Sequence, residues 1–454
     1  NYFTLDLTKA SEVIIMINDT NETSHFCCKR VCQQWILITT MLIGLSGCRI
    51  WDMAAFQWKN ENAKTAWLNE GKNTDKEFVD ESITRTVVPF TMLNNHILVN
   101  VTVNKTMPLT FVLDSGAAAT VITETNKTNA LELPTNKPIT IGGAGSGKAP
   151  TAYIVHNAHI QLGGFSISDL SVIYTPTSAM PFRSVDETYF DGVLGADFFN
   201  CCLVEINHDA KTLTITKPDD NSRAHYRTEQ WQEVVMPVES NTPYFTTTLH
   251  DEKKLTTVKL MLDTGSTGTL SLFAENDRFA LPDKTFAATS TGIQGTSANL
   301  VGLLPHFSLG DTTFNQLPTY FRFEGSNSQD GSDGVLGNQV LKRFNTVFDF
   351  SAERMWFQPS KQFISFIGAD RSGLRLLPHI EGAIVLDVAK DTGAYTAKIS
   401  VNSIITEFEG EPVTYASFDK LKMALSHPKR ETVPLCWEFK NQKLCNEVPL
   451  DSRL

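Results

Sequence analysis

The sequence predicts a mostly β protein: two β-rich lobes of like design followed by a small α+β domain. Three observations carry this. The run Phe111-Val112-Leu113-Asp114-Ser115-Gly116-Ala117 recurs as Leu260-Met261-Leu262-Asp263-Thr264-Gly265-Ser266. Each copy is followed, at similar distance, by Asp-Gly-Val-Leu-Gly, at 191–195 and again at 333–337. The segments around both copies alternate apolar and polar residues and are rich in β-branched side chains, the pattern of half-buried strands. One apolar strand ending in Asp-Ser-Gly is an ordinary turn; two with matching surroundings make a duplicated unit.

At 454 residues the chain has room for two or three domains with ample cores. Its 41% hydrophobic and 20% charged content is that of a globular protein. A net charge of −11 leaves no basic face for nucleic acid. No apolar run is long enough for an ordinary membrane span.

Near the start, Lys29 and Arg30 precede the apolar stretch Trp35 to Leu45, too short to cross a bilayer but suited to a signal h-region. It ends in Leu45-Ser46-Gly47-Cys48, which resembles the lipobox of bacterial lipoproteins. That resemblance implies cleavage before Cys48 and membrane attachment through a lipid on its sulfur. It implies a place in the cell envelope; Arg49 after the Cys further implies the outer membrane, facing the periplasm. Residues 1–47 then read as a signal peptide, with 1–15 an over-extended start before Met16, and residues 48–84 as a lipidated tether with a short helix.

From Val87 the pattern turns strand-like. Ile97 to Val103 and Leu109 to Asp114 read as a hairpin entering the first motif; Tyr244 to Leu249 and Val258 to Asp263 replay it. Gly-rich turns follow in each half, at 142–147 and 292–295, and each half closes with a strand, Leu203 to Ile206 and Thr346 to Phe350. The halves run 85–217 and 231–360, joined by a polar linker at 218–230.

Two carboxylates held together can hydrolyse a peptide without a covalent intermediate. Like charges at close range do not both ionise readily, so the pair shares a proton; one member is base and the other acid. Asp114 and Asp263 are the candidates. Ser115 and Thr264 can hydrogen-bond between the halves, and Gly116 and Gly265 allow close backbone approach. Asp114-Ser115-Gly116-Ala117 and Asp263-Thr264-Gly265-Ser266, each with a downstream Val-Leu-Gly, resemble the pepsin and retropepsin families of aspartic peptidases over about residues 85–358. Asp191 to Phe199 looks like bacterial retropepsin-type domains in particular. The resemblance implies closed, retropepsin-like β lobes forming a pseudo-dimer, a cleft between them for a polypeptide substrate, and flap hairpins above it. By position Gly143, Gly145 and Gly147 stand at one flap tip and Gly292 and Gly295 at the other, neither with the Tyr of a pepsin flap. The lobes pair either within one chain or between two, and no cofactor is implied. The alternative reading is a non-catalytic peptide-binding scaffold.

Other patterns carry less. Gly142 to Lys148 spells nearly a phosphate loop, but Ala149 replaces the magnesium-ligating hydroxyl and a strand follows. Asn327 to Asp333 lacks calcium-loop spacing, and the His residues show no metal pattern. Cys201 and Cys202 read as structural. Cys436 and Cys445 stand equidistant from a turn at Lys440-Asn441, so they are either a disulfide across a hairpin or two buried thiols.

Residues 369–454 hold strands around 383–388 and 401–408, a helix at 417–427 with Phe418, Leu421 and Leu425 on one face, and the two-Cys hairpin. The order looks like a PDZ domain. That resemblance makes Gly373, Leu374, Arg375 and Leu376 a carboxylate loop for a peptide C-terminus.

Overall fold

A computed structural model describes residues 53–56, 76–78, 84–180, 184–251, 253–275, 278–323 and 331–454. The leader and Cys48 lie outside the described residues. Of the segment read as a tether, residues 76–78 form a strand paired with Phe165 to Ile167. Among the described residues no helix is long and apolar enough to cross a membrane.

The first lobe runs β1 (Arg85–Pro89), β2 (His96–Val103), β3 (Pro108–Leu113), β4 (Val121–Thr123), β5 (Pro138–Thr140), β6 (Thr151–Leu162), β7 (Phe165–Thr175), β8 (Gly192–Leu194), β9 (Leu203–Asn207) and β10 (Thr212–Thr216). Strands β2, β3, β8, β4, β7 and β6 close on one another as a barrel. The second lobe repeats the order with β11 (Gln232–Val235), β12 (Thr242–His250), β13 (Leu255–Asp263), β14 (Leu270–Phe273), β15 (Thr285–Gly292), β16 (Gly295–Leu309), β17 (Thr312–Arg322), β18 (Gly334–Gly337), β19 (Phe344–Asp349) and β20 (Arg354–Pro359). Its barrel closes through β12, β13, β18, β14, β17 and β16. The mostly β class and the closed lobes match the sequence reading.

Alternation explains the barrels. In β2, Ile97, Val99, Val101 and Val103 are at most 1% exposed and line the core, and Phe111 and Leu113 of β3 join them. The Val-Leu-Gly strands run parallel to the strands that carry the motifs: Val193 lies beside Val112 and Leu194 beside Leu113, while Leu336 lies beside Leu262 and Gly337 beside Asp263. The Asp that opens each segment ties this down. Asp191 accepts from Thr110 N at 2.8 Å, and Asp333 accepts from Lys259 N at 2.8 Å. Thr110 and Lys259 each stand four residues before a motif Asp, so the two lobes use one device.

A third sheet joins the lobes. Its order is β11-β20-β19-β9-β10-β1, three strands from each half, with β9 against β19 at the seam (Val204 opposite Phe348). The pairing is within the chain. The linker is packed against this sheet rather than loose: Asp219 caps a helix at Asp220–Ala224, Arg223 Nε donates to Asp349 at 2.7 Å, and buried Tyr226 meets Trp231 and Trp356.

The C-terminal unit has β21 (Leu374–His379), β22 (Gly382–Val388), β23 (Ile404–Phe408), helix α1 (Tyr415–Ser426), β24 (Thr432–Phe439) and β25 (Gln442–Pro449), in sheet order β21-β22-β23-β24-β25. A capping box formed by Thr414 and Ser417 starts α1, and Phe418, Leu421 and Leu425 bury its apolar face. Cys436 and Cys445 lie opposite each other in the β24–β25 hairpin and form a disulfide. This core is continuous with a patch of the first lobe: Leu93, Leu98, Val112, Tyr189 and Phe190 pack into it.

Candidate active site

Each motif Asp ends a barrel strand and enters a turn. Asp114 Oδ1 accepts from the N–H groups of Gly116 (2.8 Å) and Ala117 (3.0 Å). Asp263 Oδ1 accepts from Gly265 and Ser266, both at 2.9 Å. These turns fix one oxygen of each carboxylate.

The turns interlock. Ser115 N donates to Thr264 Oγ1 at 3.0 Å, and Thr264 N to Ser115 Oγ at 3.1 Å. Ser115 Oγ donates onward to Leu262 O at 2.7 Å and Thr264 Oγ1 to Leu113 O at 2.8 Å. Both hydroxyls are buried, so each donor satisfied across the boundary avoids the cost of an orphaned polar group. Each glycine then makes room for the opposite carboxylate. A Cβ on Gly116 would sit 2.8 Å from Asp263 Cγ, and one on Gly265 would overlap Asp114, with Oδ1 at 2.7 Å.

The two carboxylates therefore adjoin, both partly exposed. Burial, and then the charge of Asp263, push Asp114 well above the usual carboxylate range. Asp263 is also raised by burial, but the N–H groups of Ser266 and Gly265, a hydrogen bond from Asp114 and the charge of Arg322 pull against that rise. Both carboxyl groups are thus raised by burial, and their titration belongs to the pair together.

The glycine turns at 142–147 and 292–295 meet. Gly147 N donates to Gln294 O at 2.6 Å, Gln294 N to Ala144 O at 2.9 Å, and Gly143 N to Gln294 Oε1 at 3.0 Å. Gly145, at φ +122, passes where a Cβ would lie 2.5 Å from the Gln294 carbonyl carbon. Gly292 and Gly295 close the β15–β16 hairpin that carries Gln294.

The residues read as a carboxylate loop are engaged internally. Asp370 accepts from Gly373 N at 2.7 Å and Leu374 N at 3.1 Å, while Arg375 and Leu376 lie in β21, paired with β22. Burial raises Asp370 to about 6.

Sequence reasoning gave no role to the turn at Asn94-Asn95-His96. His96 Nε2 donates to Gly265 O at 2.9 Å, beside Asp263, and its Nδ1 accepts from Tyr189 OH at 2.8 Å. Asn95 Nδ2 donates to Thr267 O at 2.8 Å, and Lys422 of α1 donates to Asn94 Oδ1 at 2.8 Å. One turn thus touches both lobes and the C-terminal unit. Its only local signal is Asn-Asn, a positive-φ pair.

Burial lowers His96 from 6.5 to about 4, so it is neutral at ordinary pH. The folded state then resists a proton that the unfolded chain takes up below 6.5, and the stability His96 provides is lost as pH falls from there towards 4. The Tm gap between wild type and His96→Asn is expected to narrow between pH 7.5 and 4.5, by the equivalent of about 2 kcal/mol. A gap that does not change with pH in paired melting curves would contradict the assignment.

Residues 99–198 match the aspartyl protease family. The match takes in Asp114, Ser115 and Gly116 and ends before the second copy. No curated protein matches by sequence. Among solved structures, an aspartic proteinase from Irpex lacteus is similar with a TM-score of 0.37 and 16% identity, over 62% of this chain and 99% of that one. Among the described residues, no three His, Cys, Asp or Glu side chains gather as a metal site.

Proposed function

We propose that the protein is an aspartic endopeptidase whose nucleophile is a water held between Asp114 and Asp263. The observation that carries this is the adjoining pair of carboxylates, each seated on the glycine of the other lobe's turn. The aspartyl protease match over the first lobe supports the same reading.

The chemistry follows from the asymmetry of the pair. Asp263, ionised and steadied by two N–H groups and Arg322, takes a proton from the water as its oxygen attacks the scissile carbonyl carbon. Asp114 gives its proton to the carbonyl oxygen, producing a neutral tetrahedral diol. The proton on Asp263 passes to the amide nitrogen, Asp114 recovers one from a hydroxyl, and the C–N bond breaks to acid and amine. Atoms and charge balance, and the pair regains its single proton. The meeting hairpin tips at Gly143–Gly147 and Gly292–Gly295 would part to admit a chain and close over it.

The test is incubation of the full chain with a mixed peptide library, read by mass spectrometry across pH. Internal cleavage with a bell-shaped dependence on pH is expected, one limb for each protonation of the pair. A folded protein that leaves every peptide intact at all pH values would favour the scaffold reading instead.

A further inference from the structure

Strand β17 carries Tyr320 and Arg322, and the charge of Arg322 acts on Asp263. It runs antiparallel to the flap strand β16, setting Tyr320 opposite Val301 and Arg322 opposite Asn299. Thr319 and Phe321 are 0% exposed, turned into the lobe core. Alternation sends Tyr320 and Arg322 to the other face, where both are partly exposed.

Arg322 makes no ion pair and no side-chain hydrogen bond among the described residues, and its Nε is buried without an acceptor. It lies in the field of the Asp263 carboxylate yet forms no salt bridge to it. Tyr320 lies in the field of Arg322, Arg375 and Arg453 together. Arg375 donates through Nη1 to Thr291 Oγ1 on the flap, and its Nε is also buried without an acceptor. Arg453 stacks over the Phe286 ring at 3.7 Å, at the base of the same hairpin. The nearby acids are occupied. Asp370 accepts the N–H groups of Gly373 and Leu374, and Asp387 accepts Thr289 Oγ1 at 2.7 Å.

A desolvated guanidinium donor with no acceptor costs about 1–3 kcal/mol or more. Among the described residues no side chain or carbonyl accepts from Arg322 Nε, which leaves that donor for an acceptor brought by a substrate. A guanidinium fork matches a carboxylate in two parallel hydrogen bonds, and a phenol beside it offers a third donor. We propose that Arg322, with Tyr320 and Arg375 behind it, forms an anion subsite next to Asp263 that selects polypeptides carrying a carboxylate beside the scissile bond. This rests on the peptidase reading and narrows its substrate class. The carboxylate belongs either to an Asp or Glu side chain or to a chain terminus.

The test uses the full chain and fluorescent peptides in matched sets: internal Glu or Gln, each with a free or an amidated C-terminus. Binding is read by anisotropy and cleavage by product formation. Wild type is expected to bind the carboxylate-bearing member about tenfold or more tightly, with Arg322→Gln erasing the difference and Arg322→Glu reversing it in favour of the Gln amide. Tyr320→Phe, which keeps the ring, is expected to reduce the preference without abolishing it, and serves if the Arg322 variants do not fold. The Glu-amide and Gln-free arms tell side chain from terminus. Equal wild-type affinity for all four peptides, or a preference that survives Arg322→Gln, overturns the proposal. Selective binding without cleavage supports the subsite and sinks the peptidase reading.

Discussion

Asp263→Asn and Asp114→Asn are each expected to lower cleavage by at least about a thousandfold, the scale of losing a positioned acid or base. The substitution is nearly isosteric. At either position the amide oxygen can still accept the two turn N–H groups that hold Oδ1 now, Gly265 and Ser266 in one lobe and Gly116 and Ala117 in the other. Folding should therefore persist. The chemistry cannot, because an amide at 263 takes no proton from water and an amide at 114 gives none to the carbonyl oxygen. The double variant should be no slower than either single one, since the two groups act as a unit. Both variants should melt at or above the wild-type temperature, because each removes the penalty of crowding two carboxyl groups together. The measurements are kcat/KM on one fluorogenic peptide and a thermal melt. Full activity in either variant would remove the dyad from the mechanism.

Gly265→Ala is expected to cost about a hundredfold or more in kcat without changing any ionisable group. A Cβ there lands on the Asp114 carboxylate, with Oδ1 at 2.7 Å, closer than real Cβ contacts come. Either the carboxylate swings out or the turns separate and stretch the Ser115–Thr264 hydrogen bonds. A displacement on the order of 1 Å is enough to lose about two orders of magnitude in rate. Gly268 provides the control, since a Cβ there meets nothing within 4 Å. Gly268→Ala should keep near-normal activity, and equal losses in the two variants would show that seating the opposite carboxylate is not what Gly265 does.

Much of the fold was legible because it is local and repeated. Alternation in Ile97 to Val103 marks a strand by itself, and the two copies of Asp-Gly-Val-Leu-Gly mark matching places in two lobes. The turns at Asp114 and Asp263 could be read as partners because they are copies. The Asn94-Asn95-His96 turn has a copy at Ser240-Asn241-Thr242, but the copy carries no His, so comparing the halves does not expose the contact. Its acceptor, Gly265 O, is 169 residues away, and nothing short-range points to it. Arg322 carried no signal in the sequence; the register sets it opposite Asn299, and the charge of Asp263 acts on it only in the folded chain. The stretch read as a loop at Ser372 to Leu376 is strand from Leu374 onward, and the N–H groups of Gly373 and Leu374 go to Asp370. Asp370 stands three residues before Gly373, within reach of its N–H, and that short-range signal was available.

The seam sheet has a consequence for how the molecule behaves on dilution. Strands β9 and β19 would each be a bare apolar edge if the halves were separate chains, and a site shared by two chains vanishes as mass action takes the dimer apart. Here the Asp220–Ala224 helix and its Arg223–Asp349 ion pair tether one half to the other, so each edge meets its partner at a fixed, high local concentration. Under the proposed function, activity per molecule is then expected not to depend on how many copies are present, since one chain brings both carboxylates.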